Sequence, residues 1–137
     1  MKKIFLLLFI LPLLSFNATV EPIDLVGKWV GTDKGIIGSV LFDGEGYATF
    51  ETEGQVMGGK EFVVNGKKGK MTYQVNSAAN PMEVDFTITK IDTGESKSLL
   101  GIVKFIDANT LVLAIAFDQG RPIDFNVTNS IQLKRAL

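Results

Sequence analysis

The sequence predicts an all-β fold, an antiparallel up-and-down barrel of about eight strands that follows an N-terminal export signal. Three observations predict it. Turn signals recur about every ten residues along the chain. The runs between them are rich in Val, Ile, Phe, Thr and Leu and alternate with a period of two. No stretch carries the spacing of a long amphipathic helix. The chain has 137 residues, 46% hydrophobic and 21% charged. That composition is globular, and the length suffices for one domain with its own core.

The first element is the leader. Met1, Lys2 and Lys3 form a positive start, and Ile4 through Leu14 an apolar run. Ser15, Phe16, Asn17 and Ala18 end that run well short of the ~20 apolar residues that a membrane-spanning helix needs. The alternative is an N-terminal anchor. Ala18 is the best small residue for the cleavage position, although bulky Phe16 two residues before it leaves the boundary open by a few positions. The expected organisation is therefore residues 1–18 as signal peptide and 19–137 as one barrel domain. No cysteine follows the apolar run, which excludes a lipoprotein anchor. A short Lys-Lys start and an export signal without disulfides point to a bacterial periplasm or the cell exterior.

Strands are expected at Leu25–Gly31, Gly38–Phe42, Gly46–Thr52, Lys60–Val64, Lys70–Asn76, Glu83–Asp92, Ser98–Ile106, Thr110–Asp118 and Ser130–Arg135. Asp43-Gly44 and Asn65-Gly66 are strong tight-turn pairs, with Thr93-Gly94 and Asp107-Ala108-Asn109 as further turns. Gly54–Lys60, with Gly58-Gly59 inside it, is read as the loosest segment. Helix is expected at most as a short turn around Glu21–Leu25 or in Asn76–Met82.

Alternation assigns faces. Val84, Phe86 and Ile88 point to one side and Asp85, Thr87 and Thr89 to the other; Met71, Tyr73 and Val75 oppose Thr72 and Gln74. Thr110–Asp118 differs, because Leu111, Leu113, Ile115 and Phe117 share one face while Val112, Ala114 and Ala116 make the other apolar too. That strand is expected to be covered on its outer side or to lie at an interface. A closed barrel and a two-sheet sandwich both accommodate such strands; the short hairpin connections favour the barrel.

Gly27-Lys28-Trp29 at the start of the first strand resembles the Gly-x-Trp entry of lipocalins and their calycin relatives. Asn80-Pro81-Met82-Glu83-Val84-Asp85-Phe86, Leu100-Gly101-Ile102-Val103, Asp107-Ala108-Asn109-Thr110-Leu111, Gly120-Arg121-Pro122-Ile123-Asp124-Phe125 and Lys134-Arg135 follow in order. Together these resemble a family of small secreted bacterial lipocalin-like domains of unknown function, abundant in planctomycetes. The resemblance spans roughly Leu25 to Arg135. The chain departs from the family pattern at Val103, where tyrosine is usual, at Asn109, where aspartate is usual, and around Ala114, where cysteine is common. The resemblance implies that Gly27 lets the first strand approach closely, that Trp29 plugs the closed end, and that a basic residue near the C-terminus packs over the indole. Arg135 is the candidate.

Composition restricts the chemistry. Cysteine and histidine are both absent, which removes disulfides, zinc and haem ligation, and Ser-His-Asp or Cys-His catalysis. No cofactor and no metal is expected. Lys2 and Lys3 leave with the signal, so 14 basic residues become 12 against 15 acidic, a net charge of −3. Such a chain has no generic attraction for nucleic acid or for an anionic membrane.

The leading expectation is a non-enzymatic barrel that binds a small apolar or amphipathic molecule. Phe42, Phe50, Tyr73, Phe86, Phe105 and Phe117 are the candidate wall residues and Arg121 the polar contact at the rim. An eight-stranded barrel either fills with its own side chains or just holds one small ligand, and the sequence leaves both open. Arg121 has a plainer reading, a turn residue paired with Asp118 or Asp124. Lys67, Lys68 and Lys70 either solvate a hairpin or meet an anionic partner such as a polysaccharide or a lipid headgroup. The second hypothesis is a packed barrel acting as an envelope interaction module through its loops or through Val112, Ala114 and Ala116. The third is a hydrolase built on Glu51 with Glu53 or on Glu83 with Asp85, carboxylates two apart on expected strands.

Overall fold

The computed structural model describes residues 24–31, 37–116 and 120–136. The expected signal peptide, Phe117 and Asp118 lie outside the described residues. Ten strands are present: β1 (Gly27–Gly31), β2 (Ser39–Phe42), β3 (Ala48–Thr52), β4 (Gln55–Gly58), β5 (Phe62–Val64), β6 (Lys67–Asn76), β7 (Met82–Lys90), β8 (Ser96–Asp107), β9 (Thr110–Ala116) and β10 (Ser130–Arg135). The fold is all-β and antiparallel, as expected, but with ten strands rather than about eight. The unexpected strand is β4, which lies in the segment read as loosest. Its hairpin with β3 turns on Glu53-Gly54, both with positive φ, 47° and 81°. This is the geometry of a primed two-residue turn, for which Glu is an unusual first residue. Asn65-Gly66 adopts the same geometry between β5 and β6, at 52° and 76°. Asn76–Met82 turns without helix.

The strands form one sheet in the order β4-β3-β2-β1-β10-β9-β8-β7-β6-β5. Each strand lies beside its neighbours in sequence, except at two places: β10 joins β1, and β4 and β5 are the two edges. The sheet then curls until the edges meet. β6 closes it, since the Met71 amide donates to the Gly59 carbonyl (2.9 Å), that of Tyr73 donates to Gly46 (3.0 Å), and Tyr47 pairs with Thr72. β5 pairs only with the first residues of β6. Around the half of the barrel that holds Trp29, eight strands therefore enclose the core. β4 and β5 widen only the other half. Eight strands leave an interior that side chains can fill.

Gly58 makes this closure possible. Its φ is 125°, and an added Cβ would run into the Ala48 carbonyl oxygen, with the Thr49 Cα also 2.9 Å away. No other residue fits there without backbone movement.

The inward faces supply the core: Trp29, Val40, Phe42, Ala48, Phe50, Met71, Val84, Phe86, Leu99, Val103, Leu111, Leu113 and Leu133 are buried in one cluster. A second layer lies outside the wall. Ile102 and Ala114, at 1% and 0% exposure, are buried but do not belong to that cluster, and they face each other across β8 and β9. Residues 120–129 cover them as a strap: Arg121 donates to the Gly101 carbonyl, Asn129 accepts from the Ile115 amide, and the Lys104 ammonium sits 4.7 Å from the centre of the Phe125 ring. This explains why β9 is apolar on both faces. Asn126 ends the strap. Its side-chain oxygen accepts from the amides of Thr128 and Asn129 and folds the chain back into β10.

Candidate functional site

The aromatic residues expected to wall a calyx meet one another instead. Phe50 and Phe86 pack edge to face with centroids 4.8 Å apart, Phe42 and Tyr73 likewise at 4.9 Å, and Phe42 lies 5.8 Å from Phe86. Phe86, Met71 and Val84 have no accessible surface at all. The barrel is filled at this level. Tyr73 reaches past the rings, and its hydroxyl donates to the Asp43 carbonyl at 2.7 Å. Burial, and then the charges of Asp43 and Asp24, raise its pKa above the ordinary tyrosine value. Phe105 is only partly buried and sits apart from this group, edge-on to Trp29 at 5.9 Å. Phe117 lies outside the described residues.

The end beside Trp29 is sealed. The indole is wholly buried and donates to the Leu25 carbonyl (2.9 Å), while the Arg135 guanidinium covers its face at 4.2 Å. Arg135 also donates to the carbonyls of Val26 (2.9 Å) and Asp24 (2.8 Å), so one side chain ties the entry of the chain to its last strand. A cation in this position gains about 0.5–2 kcal/mol. Gly27, with φ at 133°, leaves the space that the guanidinium uses; an added Cβ would stand 3.0 Å from its Nη1.

Among the described residues the opposite end is not sealed. Where β4 and β5 widen the barrel lies a cup of about 380 Å³, between Met57 on β4, Phe62 and Val64 on β5, Lys67 on β6, and Ile88 and Lys90 on β7. This volume is at the low end of small-molecule sites, which span about 300–1,000 Å³. Met57, Phe62 and Ile88 rest directly on the core cluster. They make an apolar floor above the filled barrel. The rim is basic, with Lys67, Lys68 and Lys90 and no carboxylate in the lining.

Arg121 is not at that rim. It lies on the outer wall, where its Nη1 and Nη2 donate to the two oxygens of Asp85 at 2.6 and 2.9 Å and Nη2 stands 3.4 Å from Glu83. Its partners among the described residues are thus the carboxylates of β7, in place of the expected Asp124, while Asp118 lies outside the described residues. The hydrogen bond to Asp85 is the main cause that holds its pKa above the usual arginine value. Asp85, expected on the face away from the core, and Glu83 beside it are half-buried under this fork. Glu51 and Glu53 line a groove of about 260 Å³ on the outer face of β1–β3. There Glu51 accepts from the Ser39 hydroxyl (3.3 Å) and lies 4.0 Å from the Lys28 ammonium. Among the described residues no cluster of three acidic side chains is placed to hold a metal ion.

The face of Val112, Ala114 and Ala116 is not a free surface, since the strap lies over it: Ala114 is fully buried and the other two are half-buried. The cup residues Met57, Ile88 and Lys90 were absent from the sequence reading of the site. Ile88 and Lys90 follow Val84 and Phe86 on one face, a signal that was available. Met57 was hidden in the segment read as a loop. Comparison of the chain with protein-family models, with curated proteins and with solved structures finds no match.

Proposed function

We propose that this protein is an exported, non-enzymatic lipocalin-like barrel that binds a small apolar or amphipathic molecule, and that the cup at its open end, rather than the barrel interior, is the binding site. The cup's apolar floor of Met57, Phe62 and Ile88 above a filled core carries this reading. Binding would draw on burial of apolar surface, at about 25 cal/mol per Å². The sealed Trp29 end with Arg135 over the indole supports the lipocalin-like part. The absence of histidine and cysteine, and the engagement of Asp85 and Glu83 by Arg121, support a binder over a hydrolase.

The test is to purify the mature chain from its own envelope and record native mass spectra before and after denaturation. A released small apolar companion, together with loss of that companion in an Ile88→Asp variant, is the expected result. Bare protein that also takes up no environment-sensitive apolar dye overturns the reading.

A second reading, an interaction module acting through loops, has one specific observation in its favour: Ile123 and Val127 on the strap are 88% and 98% exposed. Two isolated apolar side chains make a smaller case than a cup with a floor and a rim.

A further inference from the structure

The charges around the cup are one-sided. Its lining holds three lysines and no acid, in a chain whose net charge is −1. Two of the three are already answered. Lys68 pairs with Glu61 at 3.2 Å, and Lys90 with Glu95 at 3.0 Å. Lys67 has no carboxylate partner among the described residues. Its register places it on the inward face of β6, in line with Gly69, Met71 and Tyr73. Next to it, Val64 on β5 is its cross-strand partner, and Ile88 and Met57 continue the apolar floor. One unanswered ammonium thus stands at the edge of an apolar hollow. A neutral apolar ligand would leave that charge unmatched and partly desolvate it; a ligand with an anionic head would meet it.

We infer that the cup takes a single-chain amphiphile with an anionic head, its chain on Met57, Phe62 and Ile88 and its carboxylate or phosphate on Lys67, with Lys90 able to exchange Glu95 for the ligand. The inference rests on the reading that the cup is the binding site, and it adds the charge of the ligand. The head remains at the rim, half in water, so its contribution is modest and falls with ionic strength.

The experiment titrates the full mature chain with decanoate, decyl phosphate and decanol, and follows the Met57 methyl resonance and the affinity of each. The expected result is that all three shift that methyl, that the two anions bind roughly fivefold tighter than decanol, and that Lys67→Gln removes this advantage while decanol binds as before. Raised salt should weaken only the anions. A preference for one anion over the other identifies the head-group chemistry. Equal affinity for decanol and the anions, unchanged in Lys67→Gln, overturns the inference and leaves the cup intact as an apolar site. If none of the three moves the Met57 methyl, the cup reading itself fails and takes the inference with it. Lys67 is exposed beside a tight turn, so Lys67→Gln folds, and a matched denaturation curve verifies that.

Discussion

Arg121 grips Asp85 with both of its terminal nitrogens, at 2.6 and 2.9 Å, across 36 positions of sequence. Planar forks of this kind are among the stronger polar contacts in proteins. Here the fork fastens the strap to the outer wall of the barrel over Ile102 and Ala114. Arg121→Ala should destabilise the fold by about 1.5–3 kcal/mol, the range for hydrogen bonds to charged groups. It should also speed hydrogen exchange at the Ile115 amide, which the strap's Asn129 holds. Arg121→Lys retains charge without the fork and should recover less than half of the loss in urea denaturation. Exchange at Ile115 that is unaffected by Arg121→Ala would show that the strap is held by something else.

Arg135 is the corresponding fastener at the sealed end. Arg135→Gln removes the cation from the Trp29 face and abandons the carbonyls of Val26 and Asp24. Stability should fall by about 1–2 kcal/mol. Trp29 fluorescence should shift to longer wavelength as water reaches the indole, the more specific of the two readouts.

Phe86 discriminates a filled barrel from an open one. Because it has no accessible surface and touches both Phe42 and Phe50, Phe86→Ala should cost about 3–5 kcal/mol, with an unchanged dependence on denaturant. Binding at the cup should be altered much less. A variant that remains stable but loses ligand would place the site inside the barrel instead.

Tyr73 gives the fold an alkaline dependence. Burial is the first cause that raises its pKa above 10.0, and nearby carboxylates add to it. Folding therefore favours the protonated phenol. That contribution is complete below the unfolded pKa of about 10 and is lost as pH rises through the higher folded value. Denaturation midpoints should fall above about pH 10, more steeply in the parent than in Tyr73→Phe. Parallel curves for the two would remove Tyr73 as the cause.

Gly58→Ala tests barrel closure. Both the positive φ and the collision with the Ala48 carbonyl oppose it. It should destabilise by about 1–3 kcal/mol and loosen the Met71 amide, whose acceptor Gly59 is the next residue.

Much of this architecture was legible in the sequence, because alternation is a local signal. Val84, Phe86 and Ile88 sort to one face without knowledge of any partner, and Leu111–Ala116 announces a cover on its second face. Strand β4 was not legible, since Glu53 lacks the turn chemistry that Asn65 displays, and a short strand between two glycine-rich turns reads as loop. Arg121 was expected at the rim rather than on the outer wall for another reason: Asp85 lies 36 positions upstream, and Asp118 and Asp124 are the partners that sequence proximity offers. Whether the barrel's phenylalanines line a void or fill it is a question of volume. Only the ring-to-ring distances at Phe42, Phe50 and Phe86 answer it.

The place of β10 between β1 and β9 governs the order in which this molecule can assemble. Without it β4-β3-β2-β1 and β9-β8-β7-β6-β5 share no strand ladder and meet through the closure contacts of β6, and Trp29 lacks its arginine lid. The strand that joins them lies far along the chain from β1, and its contact with Val26 spans 109 positions. Contacts so distant in sequence slow folding. The two halves of the sheet therefore acquire a common register only when contacts this far apart in sequence have formed.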